Sequence, residues 1–74
     1  MPKITVEAAR VNTKLTQAEL AEKMGVSRET VVSWETGKRT MRTPYLYLFC
    51  NITGFSVDDI ILPEKSTFNG QEDE

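Results

Sequence analysis

The sequence predicts a single all-α domain over residues 1–63, built from five short helices and followed by an acidic tail at 64–74. Three observations predict it. Residues that cap helices well (Thr16, Ser27, Thr43 and Ser56) stand just before segments with apolar residues at helical spacing. Glycines 25, 37 and 54 stand where those segments end, and glycine adopts the left-handed conformation of a helix terminus at least cost. Strand signals reduce to two brief β-branched pairs lying inside helical patterns. A chain of 74 residues holds one modest core, with a net stability of roughly 3–5 kcal/mol. That leaves no room for a separate sensor or catalytic domain.

The first helix begins at Thr5, with Ile4 before it, and runs to about Asn12. The second starts at the capping box Thr16-Gln17-Ala18-Glu19. There the threonine hydroxyl accepts from an early backbone N–H while the glutamate reaches back to the cap's own N–H. Leu20, Ala21 and Met24 form its buried stripe, Gly25 ends it, and Val26 plugs into the core. Ser27 caps a third helix, Arg28 to about Thr36, which buries Val31 and Trp34 and ends at Gly37. Lys38-Arg39-Thr40-Met41-Arg42 reads as a basic loop. Thr43-Pro44 reads as cap and first helical residue, since a proline there loses no hydrogen bond. The fourth helix, to Thr53, has two apolar faces: Leu46, Phe49, Cys50 and Thr53 on one, Tyr45, Leu48 and Ile52 on the other. Ser56-Val57-Asp58-Asp59 starts a short fifth helix with acids in its first turn, where the macrodipole favours them.

The net charge of −2 conceals an asymmetry. Residues 1–44 carry eight Lys/Arg against five Glu, a balance of +3, while residues 45–74 carry Lys65 against six acids, a balance of −5. The first half suits a phosphate surface and the second points away from it. One cysteine and no histidine exclude a disulfide within the chain and a Cys/His metal site, and no cofactor is expected. With no histidine, no metal-ligand cluster and no Gly-rich phosphate loop, catalysis is not expected, and Cys50 is read as a small core residue. The start, Met1-Pro2-Lys3-Ile4-Thr5, does not resemble a signal peptide. The longest apolar-rich stretch, Tyr45 to Cys50, is far short of the ~20 residues that span a bilayer. No membrane association and a cytoplasmic location are therefore expected.

Two helices joined by a tight glycine turn form a helix-turn-helix, the unit that lays its second helix in the DNA major groove. Its physical demands are met here. Ala21 is small where the helices cross, Gly25 makes the turn, Val26 anchors it, and Val31 inserts between the helices. These features, together with Arg10, the run Leu15 to Ser27, Trp34-Glu35-Thr36-Gly37-Lys38 and Gly54 to Ile60, make the sequence similar to the repressor/Cro-like helix-turn-helix family, also called the Xre family. The resemblance covers about residues 4–62 and implies a compact five-helix, lambda-repressor-like fold. The chain departs from the family in having Met41-Arg42-Thr43-Pro44 in place of the usual loop proline, and Thr53 where leucine is usual.

The resemblance implies roles for particular residues. Arg28, Glu29, Val32 and Ser33, opposite Val31 and Trp34, would face base edges. Arg28 would donate two hydrogen bonds to guanine, Glu29 would accept from cytosine, and Val32 would touch a thymine methyl. The alternative is an ordinary solvated helix face. Thr16 and Gln17, at the positive end of helix two, would meet a phosphate. Thr36, Lys38, Arg39 and Arg42 would contact backbone, with Arg39 or Arg42 able to enter the minor groove; a solvated charge cluster is the alternative. Arg10 and Glu35 would form an ion pair joining helix one to the end of helix three. Trp34 is read as core.

Tyr45, Leu48 and Ile52 are read as a homodimer surface near helices four and five, with Phe55, Ile61, Leu62 or Phe68 as alternative cover. The function expected is a sequence-specific double-stranded DNA-binding regulator, a repressor of pseudo-palindromic operators. The competing reading is an antitoxin-like module with a small protein partner and autoregulatory DNA binding.

Overall fold

The computed structural model of the chain describes residues 3–63; the tail at 64–74, and Phe68 within it, lie outside them. Four helices and one minimal sheet make the domain: β1 (Ile4–Thr5), α1 (Val6–Asn12), α2 (Gln17–Met24), α3 (Arg28–Thr36), α4 (Thr43–Thr53), a 3-10 turn (Val57–Asp59) and β2 (Ile60–Ile61). The helices form where their caps demand. The Thr5 hydroxyl accepts from Ala8 N–H, the Thr16–Glu19 capping box closes in both directions, and the Ser27 hydroxyl accepts from Thr30 N–H.

The structure corrects the all-α, five-helix expectation at both ends of the domain. Ile4 pairs with Ile60 and Thr5 with Ile61 in a parallel register. The fifth helix is one 3-10 turn, because Ile60 turns extended (φ −89°, ψ 129°) to reach β1. Two residues do not make a strand on propensity alone. The pairing exists because the helices between them bring the two β-branched segments side by side. Thr5 is accordingly the extended cap of α1 and not its first residue. In α4 the cap is Arg42, whose side chain makes no cap bond, so Thr43 and Pro44 lie inside the first turn.

The core gathers Val6, Ala9, Leu20, Ala21, Met24, Val31, Trp34, Met41, Phe49, Cys50 and Ile60, with Phe49, Leu20, Val6 and Val31 fully buried. Each of those four contributes roughly 1.5–3 kcal/mol through removal of apolar surface from water. Met41 is the member hidden by its surroundings: it sits within the basic loop, yet it is buried and pins the loop down. Thr53, at the usual leucine position, satisfies its hydroxyl by donating to the Phe49 carbonyl at 3.0 Å. Burial pushes the Cys50 thiol up from its ordinary pKa, which leaves it a poor nucleophile. No helix among the described residues is long and apolar enough to cross a membrane.

On the outer side of α4, Leu48 and Tyr47 are exposed while Ile52 packs partly against the core. The Tyr45 ring lies 5.4 Å from the Trp34 ring, tilted by 45°. Of the proposed cover, Phe55 and Leu62 pack on the core and Ile61 is exposed.

Two helix ends share one geometry on different residues. At α2, Val26 N–H donates to Ala21 O and Gly25 N–H to Glu22 O, with Gly25 left-handed at φ 73°. At α1, Leu15 N–H donates to Arg10 O and Lys14 N–H to Val11 O, with Lys14 left-handed at φ 65°. A side chain there costs about 1–2 kcal/mol that glycine avoids, less the ~0.5–1 kcal/mol glycine loses through a freer unfolded chain. Lys14→Gly is therefore expected to stabilise the domain by about 0.5–1 kcal/mol. Urea denaturation followed by circular dichroism checks this, and a lowered midpoint would contradict it.

Candidate nucleic-acid interface

The α2–α3 unit sets the geometry of the site. α2 packs against α3 more extensively than any other pair of elements. Buried Ala21 allows the close crossing, and Val26 packs against the core behind the Gly25 turn. Val31 and Trp34 turn inward from α3, which leaves Arg28 and Glu29 exposed and Val32 and Ser33 half-buried on the other face.

That outer face is concave. A groove of about 700 Å³ runs along α3, bounded by Ser27, Arg28, Glu29 and Thr30 at its start. Half-buried Val32 and Ser33 line its middle, and exposed Thr36, Lys38 and Arg39 its far end. The four residues assigned to base edges and three of the six assigned to phosphates thus share one surface. Its charge is +2, from Arg28, Lys38 and Arg39 against Glu29. Arg39 N–H donates to the Ser33 carbonyl at 3.2 Å, which ties the rim to the last turn of the helix. Arg42 lies elsewhere, in a smaller hollow of about 230 Å³ beside Trp34 and Tyr45 that it shares with Arg39. Thr16 is occupied by its capping box, in which its oxygen accepts from Glu19 N–H at 3.0 Å. Its hydroxyl hydrogen remains available as a donor.

Beneath the groove lies a connected set of polar side chains. Arg10 Nε donates to Glu35 Oε2 at 2.6 Å and Arg10 Nη2 to Glu35 Oε1 at 3.4 Å. Arg10 Nη1 donates to the Leu15 carbonyl at 2.8 Å. Only 10% of the Arg10 side chain and 4% of the Glu35 side chain are exposed. Gln17 Nε2 donates to Glu35 Oε1 at 3.0 Å, and Gln17 Oε1 accepts from Arg28 Nη2 at 3.2 Å. The amide orientation follows from its neighbours, because the opposite one would set a carbonyl against the carboxylate. Sequence reasoning treated Gln17 and Arg28 separately. Each is the first residue of its helix, and the crossing of α2 and α3 brings the two helix starts within reach. That shared position was the available signal.

Among the described residues no group of three or more His, Cys, Asp or Glu is placed to hold a metal ion. The groove offers hydrogen-bond donors, positive charge and one half-buried apolar residue, a composition that suits an anionic polymer with readable edges.

Comparison with known proteins points the same way. The model of a helix-turn-helix family matches residues 6–60. An uncharacterised HTH-type transcriptional regulator from Methanocaldococcus jannaschii is 36% identical over 50 residues, covering 68% of this chain and 76% of that protein. No solved structure matches the chain significantly.

Removing one partner of a buried ion pair strands the other charge and costs about 3–5 kcal/mol, comparable to the whole stability of a domain this small. Glu35→Ala is thus expected to unfold much of the population at room temperature. Arg10→Met combined with Glu35→Leu removes both charges and is expected to restore most of the lost stability. Thermal melts of the single and double variants check this. A double variant no more stable than Glu35→Ala would refute the charge-stranding account.

Proposed function

The chain belongs to the Xre-like helix-turn-helix family, and on that premise we propose that this DNA-binding transcription regulator is a sequence-specific repressor that inserts α3 into the major groove. The observation that carries this is the groove along α3, with Arg28 held at its entrance by Gln17 and Lys38 and Arg39 at its far rim. A planar guanidinium has five N–H donors, and the Gln17 contact uses one. Enough remain for the paired bond to guanine O6 and N7, the contact that separates G·C from the other base pairs. Holding Arg28 in advance reduces the side-chain entropy lost on binding.

Ser33 and Val32 follow Arg28 along the same face and are assigned to base edges beyond it. Glu29 belongs with them only at base depth, where it accepts from a cytosine amino group. At the rim it would repel phosphate. Lys38, Arg39, Thr36 and the starts of α2 at Thr16 and Gln17 hold the backbone, and Arg42 extends that hold past the Trp34–Tyr45 ledge. Gln17 contributes through its backbone N–H and remaining amide hydrogen, since its side chain already bridges Glu35 and Arg28. Such work places the protein in the cytoplasm, with the chromosome.

One α3 reads few base pairs, so we assign the operator two half-sites and the protein a two-fold partner. Exposed Tyr45, Tyr47 and Leu48 on α4 support an apolar contact between copies. Light scattering at high concentration is expected to give twice the chain mass for the free protein, and two chains plus one duplex for the complex. Monomer under both conditions would remove the dimer from the scheme.

Two substitutions separate reading from holding. Against DNA selected from a random pool, Arg28→Ala is expected to cost about 1–3 kcal/mol and to relax preference at one base position. Lys38→Ala is expected to weaken cognate and random duplexes alike and to shallow the salt dependence by about one ion. Fluorescence anisotropy titrations on both duplexes provide the measurement. Equal losses on both duplexes for Arg28→Ala would overturn its assignment as a reader.

A further inference from the structure

The hollow beside the α3 groove has a size and a lining of its own. It measures about 230 Å³, below the roughly 300–1,000 Å³ of pockets that take larger ligands, and so suits a single ring with one small substituent. Trp34 and Tyr45 form its aromatic wall, with their rings 5.4 Å apart and tilted by 45°. Tyr45 is 40% exposed, which leaves aromatic surface for a third ring in the edge-to-face or offset contacts such rings prefer. Arg39 and Arg42 form the cationic wall, and no acidic residue among the described ones lines the space. The ion pair among the described residues is Arg10 with Glu35, so no described carboxylate neutralises either guanidinium. A carboxylate accepts two parallel N–H bonds from such a group. A small anion alone would leave the rings wet, and a neutral ring would leave both guanidiniums unpaired. The two walls together select a ring that carries a carboxylate.

We propose that the hollow between Trp34, Tyr45, Arg39 and Arg42 binds a monocyclic aromatic carboxylate, which takes both guanidiniums from DNA phosphate and so lowers affinity for the operator. The regulatory half of this rests on the reading of Arg39 and Arg42 as phosphate contacts. Arg39 borders the hollow and the α3 groove alike, and half-buried Thr30 borders both as well. A ligand in the smaller space therefore acts on the larger one through a shared side chain, with no sensor domain. Because the coupling is between two binding equilibria, a bound duplex weakens the ligand by the same factor. Arg28 lies outside the hollow, so the ligand lowers affinity while leaving the preferred base unchanged.

Benzoate is the probe, with acetate as the anion lacking a ring and phenol as the ring lacking an anion. The chain has one tryptophan, so its indole N–H gives a single resonance that reports on the hollow directly. In DNA-free protein, benzoate is expected to shift that resonance and the backbone amides of Thr30, Arg39 and Arg42. The shifts are expected to saturate with a dissociation constant on the order of 1 mM, as befits so small a ligand. Acetate and phenol are expected to bind at least about tenfold more weakly, and Arg39→Gln with Arg42→Gln to abolish the benzoate shifts. Shifts that fail to saturate, that acetate reproduces, or that survive the double substitution overturn the site. Anisotropy titrations on a duplex selected from a random pool then test the coupling. Benzoate at about 10 mM, some ten times its expected constant, is expected to weaken binding about fivefold relative to equal acetate. Saturated shifts with unchanged DNA affinity overturn the competition. Failure to bind any duplex even without benzoate would sink the nucleic-acid reading instead, and the DNA-free shifts would still decide the site.

Discussion

Arg10 and Glu35 lie 25 positions apart in sequence, yet their side chains meet at 2.6 Å with very little exposure of either. Two charges taken out of water are held there only because each has further partners. Arg10 also donates to the Leu15 carbonyl, and Glu35 also accepts from Gln17. The first bond fixes the turn after α1. The second fixes the start of α2 to the end of α3. An apolar contact in the same place would bury area without direction, whereas these bonds set angles. The crossing of α2 and α3, packed through Leu20, Ala21 and Val31, gains direction from these bonds.

From this pair the constraint runs outward. Gln17 is held by Glu35 and in turn holds Arg28, so a guanidinium at the protein surface is positioned by a carboxylate buried beneath it. Exposed arginines ordinarily sample many rotamers and lose that freedom on binding. Here part of the loss has been met in folding. Under the proposed reading, affinity for a base would draw on geometry that exists before the ligand arrives, and a groove charge of only +2 would leave more of the discrimination to such contacts than to bulk attraction.

The minimal sheet does comparable work at the other side of the domain. Pairing Ile4 with Ile60 closes the ends of the helical unit and sets where the following residues go. It brings Pro63 onto Gly37, so the end of α3 is covered by the end of the domain. Gly37 is constrained twice, by a left-handed φ of 86° and by the proline packed where a side chain would stand. The helix that faces the groove is therefore bounded by glycines for separate reasons. Gly25 serves the backbone alone, with nothing within 4 Å of a Cβ there, and Gly37 serves both backbone and packing.

Four of the five expected helices, the caps of α2 and α3 and the face that α3 presents are legible in the chain's local pattern. Cap bonds and the 3.6-residue period are local, and Thr16, Ser27, Val31 and Trp34 are each legible within a few neighbours. That pattern did not determine the strand pair, the 3-10 turn, the burial of Met41 or the join between Gln17 and Arg28. Those depend on segments far apart in the chain, and a two-residue strand has no period to read. Lys14 shows the limit clearly: a helix end that glycine would have announced was made by a lysine, and only hydrogen bonds around Arg10 and Val11 reveal it. The helix along which the groove runs was thus visible in the one-dimensional pattern. What holds its leading arginine in place was decided by tertiary structure, because hydrogen bonds between side chains need positions in space that sequence spacing does not specify.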